Sequence, residues 1–157
     1  FGTGYLLSTV LALKNMEQNL LDADVFTESM IDLAIGSWIL AMQAFCSGFP
    51  KVTGVDIDTE AVAEVWWNRE LNGLSESINV QAGQNSLLII SASFVINNML
   101  LHELLDVRLD LTRFTIHGVA LICSGFLGEQ EYDLRNSLTE LGFEFCSSLE
   151  RENCQVI

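Results

Sequence analysis

Two acidic residues stand where buried strands are expected to end. Asp32 lies at the end of one short apolar run, and Asp56 ends the next, about 20 residues after Gly36. At that spacing an acidic side chain can accept hydrogen bonds from the 2′- and 3′-hydroxyls of a ribose. The turn Ala34-Ile35-Gly36-Ser37 opens a helix whose free N–H groups favour a carboxylate or a phosphate. Together these features predict a nucleoside-binding site.

A structural explanation competes with this interpretation. Asp56 and Asp58, the latter with Thr59, could cap the helix that follows, whatever the protein does. In addition, Gly36 is the one glycine left of the three that such a turn usually has. The incomplete Gly-x-Gly-x-x-Gly pattern disfavours a nicotinamide-dependent oxidoreductase, which Asp56 alone would suggest.

Other catalytic chemistries lack the residues they require. The four cysteines form no Cys-x-x-Cys pair, and His102 and His117 have no partner at a ligand spacing, so we expect no metal site. Ser124 lies outside any Gly-x-Ser-x-Gly turn, which argues against a nucleophilic serine. Trp66 and Trp67 are neighbours on a predicted helix and cannot both face the core. We therefore expect one to pack and the other to lie on the surface or at an interface.

Composition narrows the class of protein. The chain has 157 residues, of which 50% are hydrophobic, and this suits a single folded domain over residues 1–157. Its apolar runs are far shorter than the ~18 residues of a membrane-spanning helix. A net charge of −14 argues against direct binding of nucleic acid. It would attract a basic partner, and the alternative explanation is that the acidity only keeps an apolar protein soluble. Cys46 and Cys123 lie in apolar segments, which suits reduced thiols, so we expect a cytoplasmic protein.

Strands and helices alternate along the chain, which predicts a doubly wound α/β fold with a mostly parallel sheet and helices on both faces. In such a sheet, ligands bind at the carboxyl ends of the strands, near the point where the strand order reverses. Residues 143–157 are expected to form an antiparallel hairpin at the sheet edge, and the apolar stretch Leu87 to Ile90 is assigned to no element. Predicted strands cover 30–33, 52–55, 78–81, 94–97 and 119–123, and predicted helices cover 8–20, 38–45, 59–71, 99–110 and 129–141.

A series of short motifs runs along the chain in a fixed order. They are Phe1-Gly2-Thr3-Gly4, Ser8-Thr9-Val10-Leu11-Ala12-Leu13, Ile31-Asp32-Leu33-Ala34-Ile35-Gly36-Ser37, Gly54-Val55-Asp56-Ile57-Asp58, Asn68-Arg69-Glu70-Leu71-Asn72-Gly73, Val95-Ile96-Asn97-Asn98-Met99-Leu100, Ser124-Gly125-Phe126-Leu127 and Leu141-Gly142-Phe143. In order and spacing they resemble the catalytic domain of the PrmA-type ribosomal-protein methyltransferases. Members of this family are class I enzymes, so the resemblance implies a Rossmann-like, seven-stranded sheet and S-adenosylmethionine as the cofactor.

The resemblance also implies a reaction and a set of site residues. The reaction is transfer of the sulfonium methyl group to an amine nitrogen of a basic, ribosomal-type protein, and it depends on alignment more than on acid–base groups. Asp56 would hold the ribose hydroxyls, Thr9 would close the site, and Asn98 would meet both the cofactor and the substrate amine. The resemblance identifies no catalytic acid or base. The implied cofactor-binding residues are Thr9, Asp32, Ala34, Gly36, Asp56 and Asn98.

The chain departs from the family pattern in its glycine-rich turn. Ala34 and Trp38 replace two glycines; the first change is tolerable if φ is negative there, and the second puts a large ring near the cofactor. Gln84 or Asn85 stands where an acidic residue often lies near the adenine. The family's separate N-terminal substrate-recognition domain is expected to be absent. Two hypotheses result: a divergent methyltransferase, or a methyltransferase-like module that binds a partner without catalysis.

Overall fold

The computed structural model describes residues 5–21, 29–83 and 91–157. Phe1-Gly2-Thr3-Gly4, Gln84, Asn85 and the stretch Leu87 to Ile90 lie outside these ranges. The strands are β1 (Ser29–Leu33), β2 (Lys51–Asp56), β3 (Ile78–Ala82), β4 (Ala92–Asn98), β5 (Thr115–Leu127), β6 (Leu149–Arg151) and β7 (Cys154–Val156). The helices are α1 (Leu7–Leu21), α2 (Ile39–Cys46), α3 (Thr59–Leu71), α4 (Leu101–Phe114) and α5 (Glu131–Glu140), and among them none is long and apolar enough to cross a membrane.

The described strands form one sheet in the order β3-β2-β1-β4-β5-β7-β6. The strands from β1 to β5 pair in parallel, whereas β7 runs antiparallel to both β5 and β6. The predicted doubly wound, mostly parallel sheet with an antiparallel edge hairpin is confirmed. The strand order reverses between β1 and β4, and the crevice at the carboxyl ends of these strands is where such folds bind ligands.

Helices cover both faces of the sheet. Because successive residues of a strand point to opposite faces, one strand can serve two cores. Met30 and Phe94 pack with residues of α1, α2 and α3, whereas their neighbours Ile31 and Val95 pack with residues of α4 and α5. Burial on both sides explains why these strands are nearly continuous apolar runs in the sequence.

Most element boundaries differ from the sequence prediction by one to four residues. Strand β5 is longer than the predicted 119–123, because pairing with β7 extends it past Ser124 and Gly125 to Leu127 although the apolar run has ended. Helix α2 begins at Ile39, and α4 begins at Leu101. The hairpin strands β6 and β7 have three residues each. They are joined by a two-residue turn in which both φ angles are positive, as a type I′ hairpin requires.

Candidate cofactor-binding site

Asp56 holds the turn that joins β1 to α2. Its Oδ2 accepts a hydrogen bond from the N–H of Gly36 at 3.0 Å, and its Oδ1 accepts one from the N–H of Asp58 at 2.9 Å. The cap of α3 is Asp58, whose side chain accepts from the N–H of Glu60 at 2.8 Å. The alternative explanation, that the aspartate only caps a helix, therefore applies to Asp58. A carboxylate oxygen can accept two hydrogen bonds, so the half-buried Asp56 keeps the capacity to bind two ribose hydroxyls.

The side chain of Ile35 fixes the turn over the end of β2. The parallel register places Leu33 beside Val55, and the N–H of Ile35 donates to the carbonyl oxygen of Val55 at 3.0 Å. A Cβ atom on Gly54 would lie 1.9 Å from Cδ1 of Ile35. The absence of a side chain at Gly54 therefore lets Ile35 pack against this strand in its present conformation, and this contact holds the turn beside Asp56.

The turn keeps the geometry of a glycine-rich loop with two glycines replaced. Ala34 has a φ of 61° and Trp38 a φ of 58°, on either side of Gly36 at 48°. The negative φ that would have made Ala34 easy to accommodate is therefore not found. A left-handed conformation costs an L-residue roughly 1–2 kcal/mol, so the turn is strained at two positions. The Trp38 side chain is partly buried and packs against the core that α1 and α2 share.

Asp32 is buried at the end of β1. It is 1% exposed, and neither carboxylate oxygen has a regular hydrogen-bond partner among the described residues. Burial raises the pKa of Asp32 well above the usual 3.8; the nearby N–H of Ala41, in α2, opposes this shift, and the charge of Asp56 adds to it. The protonated form is therefore favoured. A direct contact between Asp32 and a cofactor stays a prediction.

On the other side of β1, Asn98 contacts Thr9. The Nδ2 of Asn98 donates to Oγ1 of Thr9 at 3.2 Å, which joins the end of β4 to α1 although the two residues are 89 positions apart. Gly125 in β5 makes room for this arrangement, because a Cβ there would lie 2.9 Å from Oδ1 of Asn98 and 2.5 Å from a backbone oxygen. The structure thus brings two of the predicted site residues into direct contact.

Asp56 and Asn98 lie on opposite sides of β1. Leu33 is in register with Val55 on one side and with Asn97 on the other, so Asp56 and Asn98 each stand one residue beyond the same level. Since neighbouring strands are ~4.8 Å apart, the two residues are separated by about 10 Å. An elongated polar ligand can span that distance, with its hydroxyls on the carboxylate and its other end near the amide.

Ile57 is a further candidate site residue that was not predicted from the sequence. Ile57 lies between Asp56 and Asp58 and is 75% exposed. An apolar side chain in that place can pack against the flat face of a base whose ribose is held by Asp56. The signal was present in the sequence as an isoleucine that follows the end of β2 directly.

The buried thiol of Cys123 is poorly suited to act as a nucleophile, and no metal site is found among the described residues. Burial raises the pKa of the Cys123 thiol from 9.0 to about 12, so it stays protonated at neutral pH. Its neighbour Asn97, also buried, approaches the sulfur with Nδ2 at 3.5 Å. The described ranges hold no group of three or more His, Cys, Asp or Glu side chains that could bind a metal ion.

A family model described as ribosomal protein L11 methyltransferase (PrmA) matches residues 1–157. The chain belongs to this family. The predicted resemblance is therefore confirmed. A ribosomal protein L11 methyltransferase of Bacillus pumilus is 33% identical over 162 residues, which cover 98% of this chain and 48% of that protein. One of Shouchella clausii is 30% identical over 145 residues, which cover 91% of this chain and 45% of that protein. The chain thus spans about half the length of these curated relatives.

Solved structures agree on the fold. A ribosomal protein L11 methylase from Lactobacillus delbrueckii subsp. bulgaricus has a TM-score of 0.85 and 24% identity, over 98% of this chain and 78% of that one. An RNA methyltransferase from Salinibacter ruber, solved with S-adenosyl-L-homocysteine, has a TM-score of 0.69 and 19% identity, over 91% of this chain and 88% of that one. The sheet is therefore that of class I methyltransferases.

Proposed function

We propose that this chain is the methyl-transferring domain of a cytoplasmic, S-adenosylmethionine-dependent protein methyltransferase, and that its substrate is ribosomal protein L11. The observation that carries the proposal is the strand register, which places Asp56 and Asn98 on either side of β1, one residue beyond the same level and about 10 Å apart. The family membership supports this interpretation, as do relatives that are named for L11 methylation. A ribosomal protein binds RNA phosphates and is accordingly basic, which suits a chain with a net charge of −14.

The described residues fit S-adenosylmethionine. Asp56 has lone pairs left for the two ribose hydroxyls, and the exposed Ile57 would pack against the adenine. The methionine end would lie along the turn between β1 and α2. Its carboxylate would then approach the N–H groups at the start of α2, where a helix favours negative charge.

Alignment of the acceptor amine is the contribution of this chain to catalysis. When bound, the cofactor supplies a sulfonium methyl group that is transferred in line to a nitrogen, and a neutral thioether leaves. The Oδ1 of Asn98 can accept a hydrogen bond from an N–H of the acceptor amine, because the Nδ2 of Asn98 already donates to Thr9. The amine attacks in its neutral form, and its proton passes to water. Holding both reactants at near-attack distance is the main source of rate in such a reaction.

The turn supports a second candidate, a methyltransferase-like module that binds a partner without catalysis. Ala34 and Trp38 carry side chains in left-handed positions of the loop that would cradle the methionine end. If these side chains fill that part of the crevice, the fold is retained and the cofactor is not bound. The two candidates differ in one measurable property, the affinity for S-adenosylhomocysteine.

Calorimetric titration with S-adenosylhomocysteine tests the proposal. We expect the wild-type chain to bind it and Asp56→Ala to bind at least tenfold more weakly, because the ribose loses a charged acceptor. Asp58→Ala is the matched control, since it removes a neighbouring carboxylate that caps α3. We expect the control to keep its affinity. A folded wild-type chain that does not bind would favour the non-catalytic module.

Methyl transfer is measured separately, with labelled S-adenosylmethionine and purified ribosomal protein L11. We expect label in L11 and little in an L11 preparation whose amines have been blocked. Binding of S-adenosylhomocysteine without transfer of label would contradict the choice of substrate while leaving the cofactor site in place.

A further inference from the structure

The outer face of α3 carries two tryptophans that the core does not use. Trp66 is 44% exposed, Trp67 is 62% exposed, and Leu71, one turn further on, is 78% exposed. The prediction that one tryptophan would pack is wrong, because the buried stripe of α3 consists of the smaller Ala61 and Val65. Aromatic side chains are enriched in the centres of protein interfaces, where tryptophan often carries a large share of the binding energy.

The tryptophans are held in place before any partner arrives. The two rings meet edge to face, with centroids 5.6 Å apart and planes at 80°. The Arg69 guanidinium lies 5.9 Å from the Trp66 centroid, and it also donates to the carbonyl oxygen of Ile78 at 2.8 Å. A rigid anchor loses less side-chain freedom on binding, so this arrangement favours recognition.

Acidic residues surround the tryptophans. Glu60, Glu64 and Glu70 are exposed on the same helix. Its single basic residue, Arg69, lies 3.9 Å from Glu70 (Nε to Oε1) and contacts Trp66, so Glu60 and Glu64 are the carboxylates of α3 that Arg69 does not pair with. Carboxylates attract ammonium and guanidinium groups, and the faces of exposed indoles bind the same cations. We define the α3 surface as Glu64, Trp66, Trp67, Glu70 and Leu71.

We propose that the α3 surface docks a lysine- and arginine-rich face of the substrate, ribosomal protein L11, outside the crevice; this rests on the proposed function. The helix starts at the crevice, because its cap Asp58 is bonded to Asp56. Trp67 lies eight positions after Thr59, which is about 12 Å along the axis. A substrate bound there has its neighbouring residues within reach of the crevice.

Charge disfavours the main rival occupants of this surface. A second copy of the chain would place the glutamates of one α3 surface against those of the other, each copy carrying a net charge of −14. Nucleic acid would be repelled for the same reason. A basic protein face that offers apolar side chains to Trp67 and Leu71 is complementary to the α3 surface in charge and also in its apolar contacts.

The binding of purified ribosomal protein L11 to the wild-type chain and its variants tests the docking. We expect Trp67→Ala to weaken binding at least tenfold, as interface tryptophans commonly do. The matched control is Tyr132→Ala, which truncates a residue that is 73% exposed on α5, on the opposite face of the sheet, and should change the Kd less than twofold. The Kd of Glu64→Lys for L11 is compared with that of Glu140→Lys. Both substitutions change the net charge equally, and only Glu64 lies on the α3 surface.

The outcomes separate docking from catalysis. Trp67→Ala should raise the KM for L11 while kcat and the affinity for S-adenosylhomocysteine stay unchanged, because Trp67 lies outside the crevice. Equal Kd values for Trp67→Ala and Tyr132→Ala would overturn the docking, and so would a wild-type chain that fails to bind L11. A concentration-dependent dimer that Trp67→Ala abolishes would assign the surface to a second copy. Binding of L11 through Trp67 without methyl transfer would leave the docking standing and contradict the proposed function.

Discussion

Replacing Ala34 by glycine is expected to stabilise the protein, which is unusual for a change from alanine to glycine. Its φ of 61° costs an L-residue roughly 1–2 kcal/mol, and glycine removes that cost. Against this, glycine adds about 0.4–1 kcal/mol of freedom to the unfolded chain. Loss of a half-buried methyl group removes about 0.4 kcal/mol more. We expect a net gain of about 0.5 kcal/mol in the free energy of unfolding.

The matched control is Ala63→Gly, the same chemical change at an exposed position inside α3. There the helix disfavours glycine by about 1 kcal/mol. The two variants should therefore differ by about 1.5 kcal/mol in guanidinium unfolding, with opposite signs relative to wild type. In thermal unfolding the difference corresponds to about 3–6 °C.

The comparison isolates the backbone conformation, because both variants lose one methyl group and gain one glycine. If Ala34→Gly destabilises the protein by as much as Ala63→Gly does, the left-handed turn carries no strain and the reasoning is refuted. Equal affinity of wild type and Ala34→Gly for S-adenosylhomocysteine would further show that the Ala34 methyl group does not narrow the crevice.

Three further predictions follow from buried or constrained groups. Burial raises the pKa of Asp32, so its stabilising contribution is present below the unfolded value of 3.8 and is lost as the pH rises through the raised value. As the pH rises above about 4, Asp32→Asn should therefore lose less unfolding free energy than wild type, and parallel curves would contradict this. Gly125→Ala places a methyl group 2.5 Å from a backbone oxygen at a φ of 96°, and should cost about 2 kcal/mol or more in denaturant unfolding; an unchanged midpoint would be evidence against the close approach. A thiol reagent at about pH 8 should modify the exposed Cys46 and Cys146 before Cys123, whose pKa is raised to about 12; simultaneous modification would mean that Cys123 is accessible.

The fold could be predicted because its central strands β1 and β4 are buried on both faces. Apolar runs separated by amphipathic segments indicate a parallel sheet, and the structure confirms that arrangement. Strand length was harder to predict. Ser124 and Gly125 continue β5 because β7 supplies hydrogen bonds, and backbone pairing of this kind leaves no trace in hydropathy.

The site was predictable in its contacts and less so in its conformation. The spacing of Gly36 and Asp56 predicted that they belong to one site, and they share a hydrogen bond. The left-handed φ of Ala34 and Trp38 could not be read from residue type, because alanine and tryptophan both prefer negative φ. Contacts between neighbouring strands hold the turn in that left-handed conformation, and such contacts cannot be derived from the sequence alone.

The strand order also governs when the protein can fold during synthesis. Strand β1 pairs with β4 on one side, where Met30 lies opposite Phe94. The backbone N–H of Ser29 also donates to the hydroxyl of Ser93, which comes 64 positions later in the chain. A ribosome adding about 5–20 residues per second needs about 3–13 s to make that stretch. Until then, the nascent chain presents one unpaired, apolar edge of β1. Each molecule therefore passes through an interval of several seconds in which aggregation competes with completion of the sheet.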